Sequence, residues 1–233
     1  MAKLYDEKSI ESLSPLEFTR LRPGVYAGDT TYATQLLVEI FSNAVDEYRL
    51  GNGNLIEVMI EKDIVTVTDH GQGFIPNSVR EDGKTILEAA FSVLNTSGKY
   101  REDGTYEGTS LGSFGIGSKI TTFLSHWLLV ETHRDGQYER VTFNEGVFSN
   151  RETGPYTKGN GTVVTWQPSE EFFTHTEVEI NVIKNLFKTI SCLCPGLTIE
   201  LLEDKETPQP FGEQKKEDKK TVYHSEKGLH DLT

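Results

Sequence analysis

Glu39-Ile40-Phe41-Ser42-Asn43-Ala44-Val45-Asp46-Glu47 sets carboxylates and an amide inside a segment that is otherwise apolar and helix-patterned. At about 100° per residue, positions 39, 43 and 46 fall within roughly 60° of one another. Glu39, Asn43 and Asp46 therefore form one polar stripe, while Leu36, Leu37, Ile40, Ala44, Val45 and Tyr48 supply the apolar faces. A helix that is apolar on most sides should be buried. Its stripe must then meet a ligand, a metal or internal partners; a stripe that simply faces solvent is the blander alternative. The helix is expected to run to about Leu50 and stop at Gly51-Asn52-Gly53.

On either side of this helix the elements come in blocks. Before it, residues 1–29 form an N-terminal arm in which Pro23-Gly24 forbids a continuing helix. After it, Ile56, Val58 and Ile60 alternate with other residues, Lys62-Asp63 reads as a turn, and Val65 and Val67 resume the period of two, which predicts a hairpin. Ile86 to Leu94 and Lys119 to Leu124 read as helices, and a glycine-rich stretch of about 96–117 between them reads as a long functional loop. Strands are expected around Trp127 to Thr132, Tyr138 to Asn144 and Thr162 to Trp166, then an amphipathic helix over Val178 to Ile190 and a final strand over Leu197 to Leu202. Glu203 to Lys220 is polar with mixed charges and reads as a mobile connection. The order predicts an α+β fold, a two-layer sandwich with helices on one face of a mixed, mainly antiparallel sheet.

Composition narrows the function classes. The chain has 233 residues, enough for a substantial core, and its 23 Lys and Arg against 36 Asp and Glu leave a net charge of −13. Such a chain repels phosphate backbones on average, so an anionic ligand must be held by local dipoles, a cation or a few placed basic residues. The two cysteines, Cys192 and Cys194, are too few for a disulfide framework or a tetrahedral zinc site and read as buried thiols in a reducing compartment. With no apolar run of transmembrane length and no signal-peptide pattern, the expected location is cytoplasmic, with no membrane partner.

Two glycine clusters suggest chemistry. Asp69-His70-Gly71-Gln72-Gly73 follows a strand directly, putting a carboxylate at a sheet edge beside backbone that a flat ligand can approach. A carboxylate is the natural acceptor for the exocyclic amino group of adenine, although an ordinary turn would have the same look. Gly112-Ser113-Phe114-Gly115-Ile116-Gly117 leads into the helix of Lys119, a setting in which backbone amides and the helix dipole favour an anion. It is neither a P-loop, which requires Gly-Lys-Ser/Thr in sequence, nor a dinucleotide fingerprint.

Taken in order, Glu-x-x-x-Asn on a helix, D-x-G-x-G, a long loop and G-x-x-G-x-G resemble the ATP-binding fold shared by gyrase, the large heat-shock chaperone, histidine kinases and MutL (the Bergerat fold). The segments from Arg22-Pro23-Gly24 to Asp29, Asn43 to Glu47, Thr96 to Tyr100 and Gly161 to Pro168 narrow this to a resemblance, over essentially the whole chain, to the bacterial type IIA topoisomerase ATPase subunit of DNA gyrase or topoisomerase IV. That resemblance implies an arm over 1–29, an ATP-binding domain over 30–233, and a following transducer domain absent from this chain. It implies ATP and Mg²⁺ as ligands, a homodimer closed through the arm when ATP is bound, a DNA-cleaving A-type partner subunit, and DNA contacted through the full complex.

Carried over by position, the resemblance makes Glu39 the general base for the attacking water and Asn43 the Mg²⁺ ligand. It makes Asp69, supported by Thr162, the adenine acceptor. Asp46, Gly71, Gly73, Ile75, Lys99, Tyr106, Gly112, Gly115, Ile116, Gly117 and the arm residue Tyr5 complete the implied nucleotide contacts. Lys119 reads as a phosphate-proximal or surface cation, and His70 as a rim residue.

Several positions depart from the family. Gln72 stands where it usually has an arginine that pairs with a carboxylate on the long helix and borders the coumarin-antibiotic site, so a Glu47–Gln72 contact can only be a neutral-donor hydrogen bond. Phe74 is an extra residue, and the usual lid histidine is missing. Arg134, Pro76 and Gln72 are the inhibitor-site candidates that remain. The family takes a phosphate-sensing lysine from its transducer, so this chain is expected to bind ATP but to turn it over weakly. A histidine-kinase-type catalytic domain and a non-catalytic ATP-gated dimerisation module are the competing readings. Against the first, none of the six histidines lies on an upstream heptad-like helix. A pure binder has no need of a base at Glu39.

Overall fold

In the computed structural model, which describes residues 13–94, 115–206 and 216–232, a capping box opens the first helix, α1 (Pro15–Leu21). Ser14 Oγ accepts from the Glu17 backbone N–H and Glu17 returns the bond to the Ser14 N–H, with Pro15 in the first turn. The helix breaks at Arg22, as the Pro-Gly pair predicts. A second short helix, α2 (Pro23–Ala27), then starts at once, because proline at the first helical position forfeits no intrahelical bond. The long helix is α3 (Thr34–Arg49), with Leu36, Leu37, Ile40, Phe41, Ala44 and Val45 buried. It ends as expected, with Gly51 at φ 86° just beyond it.

The expected hairpin forms from β1 (Leu55–Glu61) and β2 (Ile64–Asp69), turning through Lys62 at φ 59°. Helices α4 (Ile86–Ser92) and α5 (Gly117–Phe123) follow, then β3 (Ser125–Arg134), β4 (Gln137–Asn144), β5 (Val147–Pro155), β6 (Gly161–Pro168), α6 (Ile180–Leu193), β7 (Thr198–Glu206) and β8 (Lys216–His224). Among the described residues the strands make one eight-stranded sheet ordered β5-β4-β3-β6-β2-β1-β7-β8. Among the described strands of this sheet, β1 and β7 alone pair in parallel. Helices α3, α4, α5 and α6 contact this sheet, and the architecture is the expected α+β sandwich.

Register explains where the core stops. Val67 pairs with Val164, Val164 with Val130, and Val130 with Val141, so a row of valines crosses β2, β6, β3 and β4 on the buried face. The next row along the same face is polar. Asp69 pairs with Thr162, Thr162 with Thr132, and Thr132 with Glu139. Thr162, Thr132 and Glu139 are buried at 8%, 0% and 0% exposure. Two residues of strand separate a dry core from a line of hydrogen-bonding groups.

The structure differs from the sequence reading in two places, a strand that the sequence pattern does not predict and a connection that needs correcting. Val147 to Pro155 forms the edge strand β5, nearly all of it exposed, so no inward apolar positions write an alternating pattern there. Glu145-Gly146, at φ 50° and 78°, joins it to β4 as a two-residue primed turn, and Asp135-Gly136 at φ 52° and 81° does the same between β3 and β4. The correction concerns 203–220, expected to be a connection. Residues 203–206 continue β7 and 216–220 begin β8, paired antiparallel from Thr198↔His224 to Glu206↔Lys216. An edge strand can be highly charged because one of its sides faces water. Cys192 and Cys194 are buried free thiols as expected. Among the described residues no helix is long and apolar enough to cross a membrane.

Candidate active site

Helix α3 acts as a rail with chemistry at both ends. At its N-terminal end the Glu39 carboxylate lies against Gly117, the first residue of α5, and a Cβ there would fall 2.0 Å from Glu39 Oε2. Gln35, one turn earlier, donates from Nε2 to Glu39 Oε1 at 2.6 Å and fixes the carboxylate's direction. Thr121 tightens the same helix contact by donating to the Leu36 carbonyl across the interface. Asn43, half-buried, follows one turn after Glu39. Glu47 follows one turn later, about 12 Å from Glu39 at 1.5 Å per residue.

At that far end Glu47 meets the Asp69 loop. A Cβ on Gly71 would fall 2.8 Å from Asp69 Oδ1 and 2.9 Å from Glu47 Oε2, so only glycine lets the two carboxylates close on this turn. Glu47 Oε2 accepts from Asn52 Nδ2 and from the Gln72 backbone N–H at 3.3 Å. The expected neutral-donor contact therefore forms, through the main chain. The Gln72 side chain instead accepts from Arg134 Nη1 at 3.5 Å, and the same nitrogen donates to the Gly73 carbonyl at 3.2 Å. Three residues singled out at the inhibitor rim, Gln72, Pro76 and Arg134, thus lie on or against one loop.

Burial pushes the Asp69 carboxyl up to about 6, and the Glu47 charge adds to the rise. Backbone N–H groups of Gly71 and Thr162 and the nearby His70 pull it back down. Gly71 N donates to Asp69 Oδ1 at 2.8 Å. His70, expected at the rim, is exposed and hydrogen-bonded to Glu57 at 2.9 Å. Lys119 departs from one of its two expectations. It is no surface cation, being 2% exposed, and desolvation lowers its ammonium to about 8.

Asp46 is 3% exposed, on the side of α3 that faces the interior. Gly73, at φ 67°, turns so close to β3 and β6 that a Cβ would sit 2.5 Å from the His133 carbonyl. Ile75 is exposed and Pro76 half-buried on the same loop. Gly115 and Ile116 lead into α5, with Gly115 at φ 61°. Tyr5, Lys99, Tyr106 and Gly112, with most of the expected lid at 96–117, lie outside the described residues. Sequence reasoning set Glu47 opposite Gln72 but did not place Thr132 and Glu139 around the Asp69 loop, where the structure brings all three. Those two required the strand register.

A magnesium ion suits this arrangement in one form. Among the described residues no three His, Cys, Asp or Glu side chains converge as a metal cage. Asn43, one helical turn after Glu39 on α3, offers a single amide oxygen, which fits an ion that keeps its waters and takes most of its other oxygens from phosphates.

No protein-family model matches the chain. It is 35% identical over 206 residues to the B-type subunit of the type 2 topoisomerase of Aquifex aeolicus, covering 86% of this chain and 26% of that one. To the B-type subunit of DNA topoisomerase 4 of Enterococcus faecalis it is 35% identical over 234 residues, covering 98% and 32%. To its namesake from Staphylococcus aureus it is 34% identical over 236 residues, covering 98% and 34%. The chain therefore spans about a third of the length of the relatives it matches.

Proposed function

We propose, starting from a chain that belongs to the family of topoisomerase B-type subunits, that the polar side of α3 between Gly117 and Asp69 binds and hydrolyses ATP with Mg²⁺. In this reading the nucleotide closes a homodimer gate through the N-terminal arm. Gate closure drives DNA strand passage in a cytoplasmic bacterial type II topoisomerase assembled with a DNA-cleaving A-type subunit. The observation that carries the reading is the pairing of two unlike carboxylates at the two ends of one rail: Glu39 against Gly117, and Asp69, with its raised titration, beside Gly71.

The roles follow from those environments. Asp69 as a carboxylate accepts from the adenine amino group, and Thr162 holds Asp69 by its backbone N–H. Gly71 and Gly73 keep the loop free of side chains where a flat base would lie. Glu39, aimed by Gln35, accepts a hydrogen bond from the attacking water and takes its proton. Asn43 would hold Mg²⁺, which would supply positive charge to offset that of the phosphates. Phosphoryl transfer depends mostly on such positioning and charge stabilisation. Lys99, Tyr5, Tyr106 and the Gly112 to Gly117 segment are assigned to the phosphates and lid on the family resemblance, and Ile75 and Asp46 to the pocket wall.

The test compares wild type with Glu39→Ala and Asp69→Asn by calorimetric ATP titration and phosphate release. Glu39→Ala should keep ATP affinity within about threefold while losing at least about 100-fold in turnover. Asp69→Asn should lose binding itself. Turnover undiminished in Glu39→Ala would remove the general-base assignment.

A further inference from the structure

The loop from Gly71 to Asn77 leaves β2 and lies along the polar ends of β3 and β4, where three side chains hold its backbone. Thr132 Oγ1 accepts from the Phe74 N–H at 2.7 Å, Arg134 donates to the Gly73 carbonyl at 3.2 Å, and Glu139 Oε2 accepts from the Asn77 N–H at 2.6 Å. Glu139 is fully buried, and its other oxygen takes Arg151 Nε at 3.1 Å. The same arginine reaches the Asn77 side-chain oxygen through Nη2. Asn77 itself sits at φ 61°, in the left-handed region that asparagine adopts more readily than most residues. Asp69 and Glu139 occupy the two ends of one polar row, three strand pairings apart.

We infer that Glu139, with Arg151 and Asn77, is a positioning assembly for base recognition: it fixes the far end of the loop whose near end carries Asp69, Gly71 and Gly73. This rests on the reading of Asp69 as the base acceptor. None of the three residues touches the base; they set the distance between the loop and α3 into which a purine fits. A carboxylate without a hydrogen-bonded cation would be costly at full burial, so its placement under a loop backbone N–H calls for a reason beyond packing. A loop held at both ends presents one geometry, which favours one purine over another.

The test is the double substitution Glu139→Met/Arg151→Met in the full chain. Replacing a buried charge together with its partner by apolar residues of similar volume is often neutral or stabilising. Glu139 is the buried member and Arg151 lies on the exposed edge strand. The fold should therefore survive while Asn77 loses its Glu139 and Arg151 contacts and keeps that to Gln137. Expected results are an unchanged or raised melting temperature, faster hydrogen exchange at the Phe74 and Asn77 amides, an ATP dissociation constant raised about tenfold, and a reduced preference for ATP over GTP. Turnover of bound ATP should stay unchanged, since Glu39 stands at the other end of α3. Unaltered exchange at Asn77 would overturn the anchor whether or not ATP binds. Unaltered ATP affinity and purine preference, in a wild type that does bind ATP, would overturn the positioning role. A wild type that binds no ATP, with exchange nonetheless accelerated in the variant, would sink the function proposed above and leave the anchor standing.

Discussion

Glu39 and Gly117 share one space: a Cβ on the glycine would fall 2.0 Å from Glu39 Oε2 and 3.0 Å from Glu39 Cβ. The carboxylate tip could swing aside, but the Cβ contact is set by the α3 and α5 backbones. Gly117→Ala should therefore push Glu39 off its direction and lower ATP turnover by about 100-fold, the range associated with a misplaced general base. ATP affinity should fall by far less than turnover, because the Asp69 end of the rail is untouched and only the phosphate end is disturbed. An alanine within a helix is otherwise favoured over glycine by about 0.5–1 kcal/mol. A variant with normal turnover would show that Glu39 does not act from this position.

Asp69→Asn should stabilise the protein while abolishing its ligand recognition. The sign follows from proton binding. Folding raises the Asp69 value from 3.8 to about 6, so between those pH values the folded state holds more protons than the unfolded one, and stability falls as pH rises. The penalty is absent below 3.8, grows through the interval and is complete above about 6. Its ceiling is about 3 kcal/mol. Thermal unfolding of wild type and variant should thus coincide near pH 3.5 and separate by several degrees at pH 8, with the variant higher. Coincident curves at pH 8 would refute the burial account.

Glu47→Gln should lower the Asp69 titration. Burial is the largest cause of the raised value, and the Glu47 charge beside Gly71 adds to it. Removing that charge leaves burial in place, so Asp69 should stay above 3.8 while moving down from about 6. A ¹³C carboxyl titration by NMR measures this directly. An unmoved value would mean that the two carboxylates do not sense each other.

Arg20→Leu should destabilise without changing nucleotide affinity. Arg20 joins α1 to the β4–β5 turn through the Glu145 carbonyl at 2.8 Å and carboxylate at 2.7 Å, reaches Glu171, and stacks 4.9 Å from the Phe172 ring. Its partners are partly solvent-exposed, so screening limits the ionic share and the expected cost is about 1–2 kcal/mol. Melting should drop by about 3–6 °C. A drop that vanished in high salt would assign the whole effect to the ion pairs, against the expected contribution of the carbonyl and ring contacts.

Legibility in the sequence followed periodicity. Helix α3 and the β1–β2 hairpin announce themselves because Leu36, Leu37, Ile40 and Ala44, or Ile56, Val58 and Ile60, repeat at the spacing of a buried face. Strand β5 carries no such record, since water meets both its faces, and its only local mark is the Glu145-Gly146 turn. Charges on β8 hide it in the same way. Glu39, Asn43 and Asp69 stood out as polar groups in apolar or glycine-rich settings. Thr132 and Glu139 lie in ordinary alternating strands, and only the pairing of four strands brings them into line with Asp69.

That line of polar groups has a consequence for how the chain finds its fold. A strand that slips by one residue turns its apolar side outward and is rejected at once, but a slip by two keeps inside and outside correct and escapes that check. Here a two-residue slip of β2, β6, β3 or β4 would set Asp69, Thr162, Thr132 or Glu139 against the row of Val67, Val164, Val130 and Val141. The residues proposed to frame a nucleotide therefore also proofread strand alignment, penalising the one misregistration that hydrophobic alternation cannot detect.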